Sequence, residues 1–282
     1  MLKPVLDRVP RLALKIPGWA ALSLLMNAVL FMALLASWHE KSGGDPSVLP
    51  QANAAAAVAQ PVSEPALLPT ASKPRLSYEQ WVDLLKQEMD AMTVKHPDHL
   101  TILLGDSLSL WFPAELLPGR RVWMNQAISG EKTQGVLARL HLLDQAEIDT
   151  IFVMIGINDL IWGKSDDQII RNYRQIMDYL KRYHPDTKIV VQSILPHGAE
   201  TATWESRDRL LALPNSRVRA MNESLQEIAY SYDAYYLDLY PIFSTGEGNL
   251  RTDLTTDGLH LNREGYLVWR TAIAMYSQVE LQ

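Results

Sequence analysis

The stretch TILLGDSLSLW, Thr101 to Trp111, decides how the rest of the chain is read. An apolar run ends abruptly in Gly105, Asp106 and Ser107, and the sequence then turns apolar again. A turn accounts for the glycine and the aspartate, since both supply turn geometry. It leaves open whether Ser107 is only a turn residue or a nucleophile held at a strand end. The flanking segments bear on that choice.

Before this stretch, SYEQ forms a capping box from Ser77 to Gln80, and Trp81, Leu84, Leu85, Met89 and Met92 recur at helical spacing. HLTILLG then reads as a strand that ends at Gly105, and RVWMNQAI as a second. TQGVLARLHLLDQ is helical in pattern. TIFVMIG is a third strand, an unbroken apolar run of the kind covered on both faces. SDDQIIRNYRQIMDYLKRYH is a long helix stopped by Pro185, and TKIVVQSILP is a fourth strand. NSRVRAMNESLQEIAYSY predicts a helix capped by Asn215, with Val218, Met221, Leu225 and Ile228 on one stripe. AYYLDLY is a fifth strand, and NREGYLVWRTAIAMYSQ closes the chain as a helix.

Strands that alternate with helices indicate a parallel sheet with helices on both faces. The expected fold is a three-layer α/β/α sandwich around a central five-stranded parallel sheet, flavodoxin-like in class. Right-handed crossovers place every strand's C-terminal end on one edge, where ligands bind in open α/β sheets. Ser107 lies just past such an end. The loop from His197 to Pro214 is long for a strand-to-helix connection, and long loops of this kind are functional or loose.

The first residues have a different character. Residues 1–15 carry Lys3, Arg8, Arg11 and Lys15 against one acid, Asp7. Ile16 to Trp38 contains no charge and is long enough to cross about 30 Å of hydrocarbon. The basic flank leaves the N-terminus in the cytoplasm and the rest outside. A retained anchor at 16–38 is the preferred reading, since LLASWHE is a poor small-x-small cleavage site; a cleaved signal peptide competes with it. Residues 39–76 are punctuated by Pro46, Pro50, Pro61, Pro65, Pro69 and Pro74 among alanine and serine, and read as a semi-extended tether. Residues 77–282 form the folded domain.

Composition limits the functions available. The formal charge is −6 with no basic block in the folded part, which argues against a nucleic-acid partner. The absence of cysteine removes disulfides, thiolate metal sites and a cysteine nucleophile together. His96 and His99 lack a third ligand nearby in sequence, so no metal site is expected.

Four short pieces fall at the same sheet edge: Gly105-Asp106-Ser107 after the first strand, AISG ending at Gly130 after the second, GIND from Gly156 to Asp159 after the third, and DGLH from Asp257 to His260 before the last helix. Each alone is an ordinary turn. Their order and spacing resemble the SGNH, or GDSL-type, hydrolase family over roughly the 200 residues after the tether. The layout, with SILPHG after strand four, is most similar to the platelet-activating-factor acetylhydrolase branch. By that likeness Ser107, Gly130, Asn158 and His260 match the four residues that name the family, and Asp257 matches its triad acid. The second block departs from the family's usual Asn-x-Gly-x-x-Gly, because Ala127 replaces the first glycine while Gly130 is kept. Ser109 in place of glycine excludes the G-x-S-x-G elbow of α/β-hydrolases.

The chemistry fits the likeness. A serine hydroxyl needs a base to take its proton, and imidazole titrates near neutrality. Asp257, three residues before His260, can hold one ring nitrogen and leave the other to Ser107. An oxyanion needs fixed donors. The N–H groups of Ser107 and Gly130 and the Asn158 amide are suitable. Trp111, Trp162 and Trp204 follow strand ends and either wall the pocket or pack on its rim. His197 is read as a surface-loop histidine, with pocket lining as the alternative, and Asp106 and Asp159 as groups that fix local hydrogen bonds.

The expectation is a membrane-tethered serine esterase, without cofactor, acting outside the cytoplasmic membrane on short- or medium-chain esters or on acetyl groups of envelope sugars. Two alternatives stay open: an acyltransferase acting on envelope sugars, and a catalytically silent polysaccharide-binding module.

Overall fold

The computed structural model describes residues 76–281. The basic flank, the proposed membrane span at 16–38 and the tether as far as residue 75 lie outside the described residues. Among the described residues no helix is long and apolar enough to cross a membrane.

The chain enters through α1 (Tyr78–Lys95), which begins at the expected capping box. The Ser77 side chain accepts from the Gln80 N–H, and Gln80 Oε1 accepts from the Ser77 N–H at 2.8 Å. Five strands follow: β1 (Leu100–Gly105), β2 (Val122–Ala127), β3 (Thr150–Met154), β4 (Lys188–Gln192) and β5 (Tyr235–Leu237). They form one sheet in the order β2-β1-β3-β4-β5, with every pairing parallel. β1 lies inside the sheet, between β2 and β3, and all six of its residues are buried.

Successive side chains of a strand point to opposite faces, so each strand feeds two cores. On one face Ile102, Leu104, Ile151, Val153, Ile189 and Val191 meet the apolar stripes of α1, α3 (Thr133–Arg139), α5 (Asp166–Tyr183) and α7 (Asn215–Ser231). The stripe of α5 is Ile169, Tyr173, Ile176, Met177 and Leu180, a helical repeat buried along its length. On the other face Leu103, Phe152, Met154, Val190 and Leu237 meet Phe112, Phe243 and the last helix, α9 (Arg263–Glu280). Trp269 of α9 is fully buried there, and its Nε1–H donates to Gln192 Oε1 at 2.7 Å. The three-layer architecture expected from the alternation of elements is present.

Three details differ from the sequence reading. TKIVVQSILP is strand only over Lys188–Gln192, because the backbone N–H and C=O of Ile194 are taken by the Asn222 side chain instead of a neighbouring strand. AYYLDLY shortens to Tyr235–Leu237, since the Leu239 and Tyr240 N–H groups turn to Ser193 Oγ and start the short helix α8 (Tyr240–Phe243). Asn215 is not the cap of α7. Pro214 occupies that place, and the Asn215 amide instead holds the backbone of His197, accepting from its N–H and donating to its C=O.

Candidate active site

β1 delivers its last residue, Gly105, into a reversal too tight for a side chain. A Cβ on Gly105 would overlap the Met154 carbonyl oxygen and Ser109 Oγ. Asp106 then caps the four-residue helix α2 (Ser107–Leu110), its Oδ1 accepting the Leu108 N–H at 3.0 Å. The glycine and aspartate of the opening stretch are therefore turn residues. Ser107 is more than that. As the first helical residue it has no intrahelical acceptor for its N–H, and its Oγ lies 3.1 Å from His260 Nε2.

His260 sits in the loop before α9. Its Nδ1 is 2.8 Å from Asp257 Oδ2. A carboxylate can only accept, so Nδ1 carries the proton and Nε2 is left to accept the Ser107 hydroxyl. Asp257 Oδ1 receives the N–H groups of Leu259 at 2.9 Å and His260 at 2.8 Å. Burial works against the charged form of Asp257, but these donors and the His260 ring outweigh it and hold its pKa below the usual carboxylate range. Trp111, which ends α2, lies over the His260 ring with centroids 4.3 Å apart and planes tilted by 40°. It is 49% exposed, so one side of its ring faces solvent while the other covers the imidazole.

The Asp257–His260 loop is fixed from outside. The Asp257 carbonyl accepts the Thr203 and Trp204 N–H groups at 2.8 and 2.9 Å, and the Gly258 carbonyl accepts the Gly198 N–H at 2.7 Å. Gly258 has φ +86°, and a Cβ there would meet Ala202 Cα at 2.5 Å. The long 197–214 loop thus clamps the imidazole loop through backbone contacts.

Gly130 and Asn158 follow β2 and β3. Asn158 lies in the first turn of α4 (Ile157–Ile161) and is buried, and its Nδ2 donates to the Glu131 carbonyl at 3.1 Å. That bond fixes the amide's orientation and uses one of its two N–H hydrogens. Gly130 is exposed with φ +75°, and among the described residues its N–H has no acceptor. Asp159 accepts from both the Thr133 N–H and Oγ1–H at 2.8 Å. The expected role of Asp106 and Asp159 in local hydrogen bonding is what their geometry shows.

A buried ion pair anchors this corner. Glu131 takes two hydrogen bonds from Arg139, from Nε at 2.8 Å and from Nη2, with both side chains at most 2% exposed. Arg139 also donates to the Gln126 carbonyl, and Tyr78 of α1 donates to Glu131 Oε1 at 3.1 Å. Truncating one member of such a pair costs about 3–5 kcal/mol, because the other charge is left buried alone. Sequence reading missed this pair. Its members are eight residues apart across a loop–helix boundary, outside the three- and four-residue spacings that mark helical pairs.

The other predicted positions separate. Trp162 caps the C-terminal end of α4 and is half exposed. Trp204 is partly buried and packs against the core on the α5 side of the sheet. His197 is not a surface histidine: it is 1% exposed, its Nε2 lies 2.6 Å from the Leu213 carbonyl and its Nδ1 accepts the Ala199 N–H. Both ring nitrogens are committed to its own loop, so the ring braces that loop and has no nitrogen to offer a ligand. Among the described residues no three His, Asp or Glu side chains come together as a metal cage.

Residues 103–268 match the model of the GDSL-like Lipase/Acylhydrolase family. The chain is 25% identical over 211 residues to Platelet-activating factor acetylhydrolase IB subunit alpha1 of Bos taurus, covering 72% of this chain and 84% of that protein. It is similar in fold to a GDSL-like lipase from Bacteroides thetaiotaomicron, with a TM-score of 0.56 at 16% identity over 68% of this chain and 96% of that one. A Streptococcus pneumonia protein named after platelet activating factor superposes with a TM-score of 0.63 at 24% identity, over 70% of this chain and 95% of that one.

Proposed function

The chain belongs to the GDSL-like lipase/acylhydrolase family, hydrolases acting on esters, and from that premise we propose a serine esterase whose chemistry is carried by Ser107, His260 and Asp257. The single observation that carries this reading is the relay from Ser107 Oγ to His260 Nε2 at 3.1 Å and from His260 Nδ1 to Asp257 at 2.8 Å.

In the proposed reaction Ser107 Oγ attacks the ester carbonyl carbon as His260 Nε2 takes the hydroxyl proton. The carbonyl π electrons move onto oxygen, and the resulting oxyanion is met by the N–H groups of Ser107 and Gly130 and the second N–H of the Asn158 amide. The tetrahedral intermediate collapses, the C–O bond to the alcohol breaks, and the alcohol leaves with the proton from His260. Water then attacks the acyl-serine with His260 again as base, which releases the acid and restores Ser107. Asp257 stays ionised throughout and stabilises the imidazolium formed at each step. Trp111 shields the ring on which this proton rests.

Hydrolysis of short- or medium-chain esters, or of acetyl groups on envelope sugars, outside the cytoplasmic membrane is the proposed setting. Its support is the basic flank followed by the uncharged Ile16–Trp38 stretch. The test is fluorophosphonate labelling of the full-length protein, with peptide mapping, beside a panel of acyl-chain esters. Label on Ser107 and loss of both label and turnover in Ser107→Ala are expected. Turnover unchanged in Ser107→Ala would refute the mechanism.

A further inference from the structure

The chemistry proposed above uses the side of the site made by Gly130 and Asn158 only for its donors. Charge stands beside them that no step consumes. The Arg209 guanidinium carbon lies 4.0 Å from the centroid of the Trp162 ring, and Lys132 Nζ lies 5.6 Å from the same centroid. The two cations are therefore within about 10 Å of each other, one screening length at 0.1 M salt. Among the described residues neither is ion-paired with a carboxylate. Two like charges gathered on one ring repel. An exposed cation–π contact offsets only about 0.5–1 kcal/mol.

The position is fixed relative to the reacting groups. Lys132 is two residues beyond Gly130, and the residue after it, Thr133, is tied to Asp159 by two hydrogen bonds. Trp162 is four residues beyond Asn158, and its N–H donates to the Asn158 carbonyl at 3.1 Å. Arg209 lies on α6 (Arg207–Leu211), in the loop whose Thr203 and Trp204 N–H groups hold Asp257. Three of the segments that build the site each contribute one member. Half of the indole remains open to solvent, at 47% exposure.

We propose that Trp162, Lys132 and Arg209 form a subsite for an anionic ester, one that rests its apolar part against the solvent-exposed part of the indole and pairs a carboxylate or phosphate with the cations beside it. The proposal rests on the esterase reading and adds the substrate class to it. Lys132 also acts at a distance on Asp159, but that carboxylate is already occupied by Thr133 and makes no ion pair with the lysine.

The test compares matched neutral and charged esters with the full-length protein. Phenyl acetate is paired with 3-acetoxybenzoate and with 3-acetoxyphenyl phosphate, which carry the anion on the alcohol side. Phenyl butyrate is paired with phenyl hydrogen succinate, which carries it on the acyl side. The wild type is expected to show a higher kcat/KM for at least one charged ester than for its neutral partner. That ratio should fall about threefold in Lys132→Ala or Arg209→Gln and about tenfold in the double variant, given the usual worth of exposed charge contacts. Half-molar sodium chloride should lower it as well. Equal ratios in the wild type and the double variant would overturn the subsite. Binding of 3-hydroxybenzoate to Ser107→Ala, followed by saturation-transfer NMR, reads the subsite without turnover. Binding lost in the double variant, together with no turnover of any ester by the wild type, would keep the subsite and bring down the esterase reading. No preference among esters that are turned over, and no binding, would do the reverse.

Discussion

Asp106, the residue before the proposed nucleophile, is predicted to make the protein less stable as pH rises from about 4 to about 7. Its side chain is 1% exposed; Oδ1 caps Leu108, and among the described residues Oδ2 is buried without a partner. Burial raises its pKa from 3.8 to about 7, with the nearby Glu131 and Asp159 charges adding to the rise and the Leu108 hydrogen bond opposing it. The native state therefore keeps a proton that the unfolded chain has already released over this interval. Where the unfolded state binds fewer protons, unfolding free energy falls with pH. At 1.36 kcal/mol per unit, the shift amounts to roughly 4 kcal/mol, fully present above pH 7 and absent below pH 4. That is a large part of the 5–15 kcal/mol typical of folded proteins.

Asp106→Asn isolates this contribution. Asparagine keeps the capping oxygen and cannot ionise. Urea unfolding of the full-length wild type and of Asp106→Asn, measured from pH 4 to pH 8, should give curves that diverge. The variant should gain about 4 kcal/mol on the wild type across that range. Its extra N–H₂ hydrogens shift the whole variant curve by a constant, since an unmet buried donor costs about 1–3 kcal/mol at every pH. Asp257, whose lowered pKa acts in the opposite direction at more acid pH, is common to both proteins and cancels in the difference. Parallel curves, with a gap constant to about 1 kcal/mol, would show that Asp106 is solvated or paired in the native protein and would refute the reasoning.

Two further outcomes follow from the geometry. Asn158→Ala should lower kcat on a good ester by about 100- to 1,000-fold, since one oxyanion donor is lost; steady-state kinetics check this, and a change under threefold would remove Asn158 from the proposed donor set. Gly258→Ala should lower Tm and slow fluorophosphonate labelling of Ser107 by about 10- to 100-fold, because a Cβ 2.5 Å from Ala202 Cα displaces the loop that carries His260; an unchanged Tm and labelling rate would show that the clamp is not needed.

The parallel sheet was legible because buried strands read as unbroken apolar runs, and TILLG and TIFVM need no tertiary information to be recognised. The strand-end position of Ser107 followed from that alone. The spacing of Asp257 and His260 was also informative, because a three-residue separation in a tight loop puts both side chains on one side. Other features depend on partners distant in sequence. Asn215 has the residue type of a cap, but satisfying the buried backbone of His197 took precedence over helix propensity. His197 has the composition of a surface loop around it, and only the fold shows that the loop curls inward and uses the ring as its brace. The Glu131–Arg139 pair and the Trp162 cluster were invisible for the same reason. Their members come from a loop, from helices and from a helix end whose mutual approach has no local periodicity.

What the sheet contributes is therefore placement, and what the loops contribute is rigidity. β1, β2 and β3 end side by side, and Gly105 pairs directly with Ala127 and Met154. This brings Ser107, Gly130 and Asn158 to one edge but does not set their relative orientation. Cross-loop hydrogen bonds add that constraint: Asn158 to the Glu131 carbonyl, Thr133 to Asp159, and the Thr203 and Trp204 N–H groups to the Asp257 carbonyl. Each bond joins one strand-end loop to another, so a displacement of one loop must strain its neighbour. Donors held in this way need little reorganisation when charge develops, which is the condition under which oxyanion stabilisation is large. It also explains why charged side chains are buried just behind the site. Glu131 holds the carbonyl that Asn158 reads only while Arg139 neutralises it, and the Tyr78 contact ties that corner to the first helix of the described chain. The ester chemistry proposed at Ser107 would thus depend on an ion pair, Glu131–Arg139, that takes no part in the proposed steps.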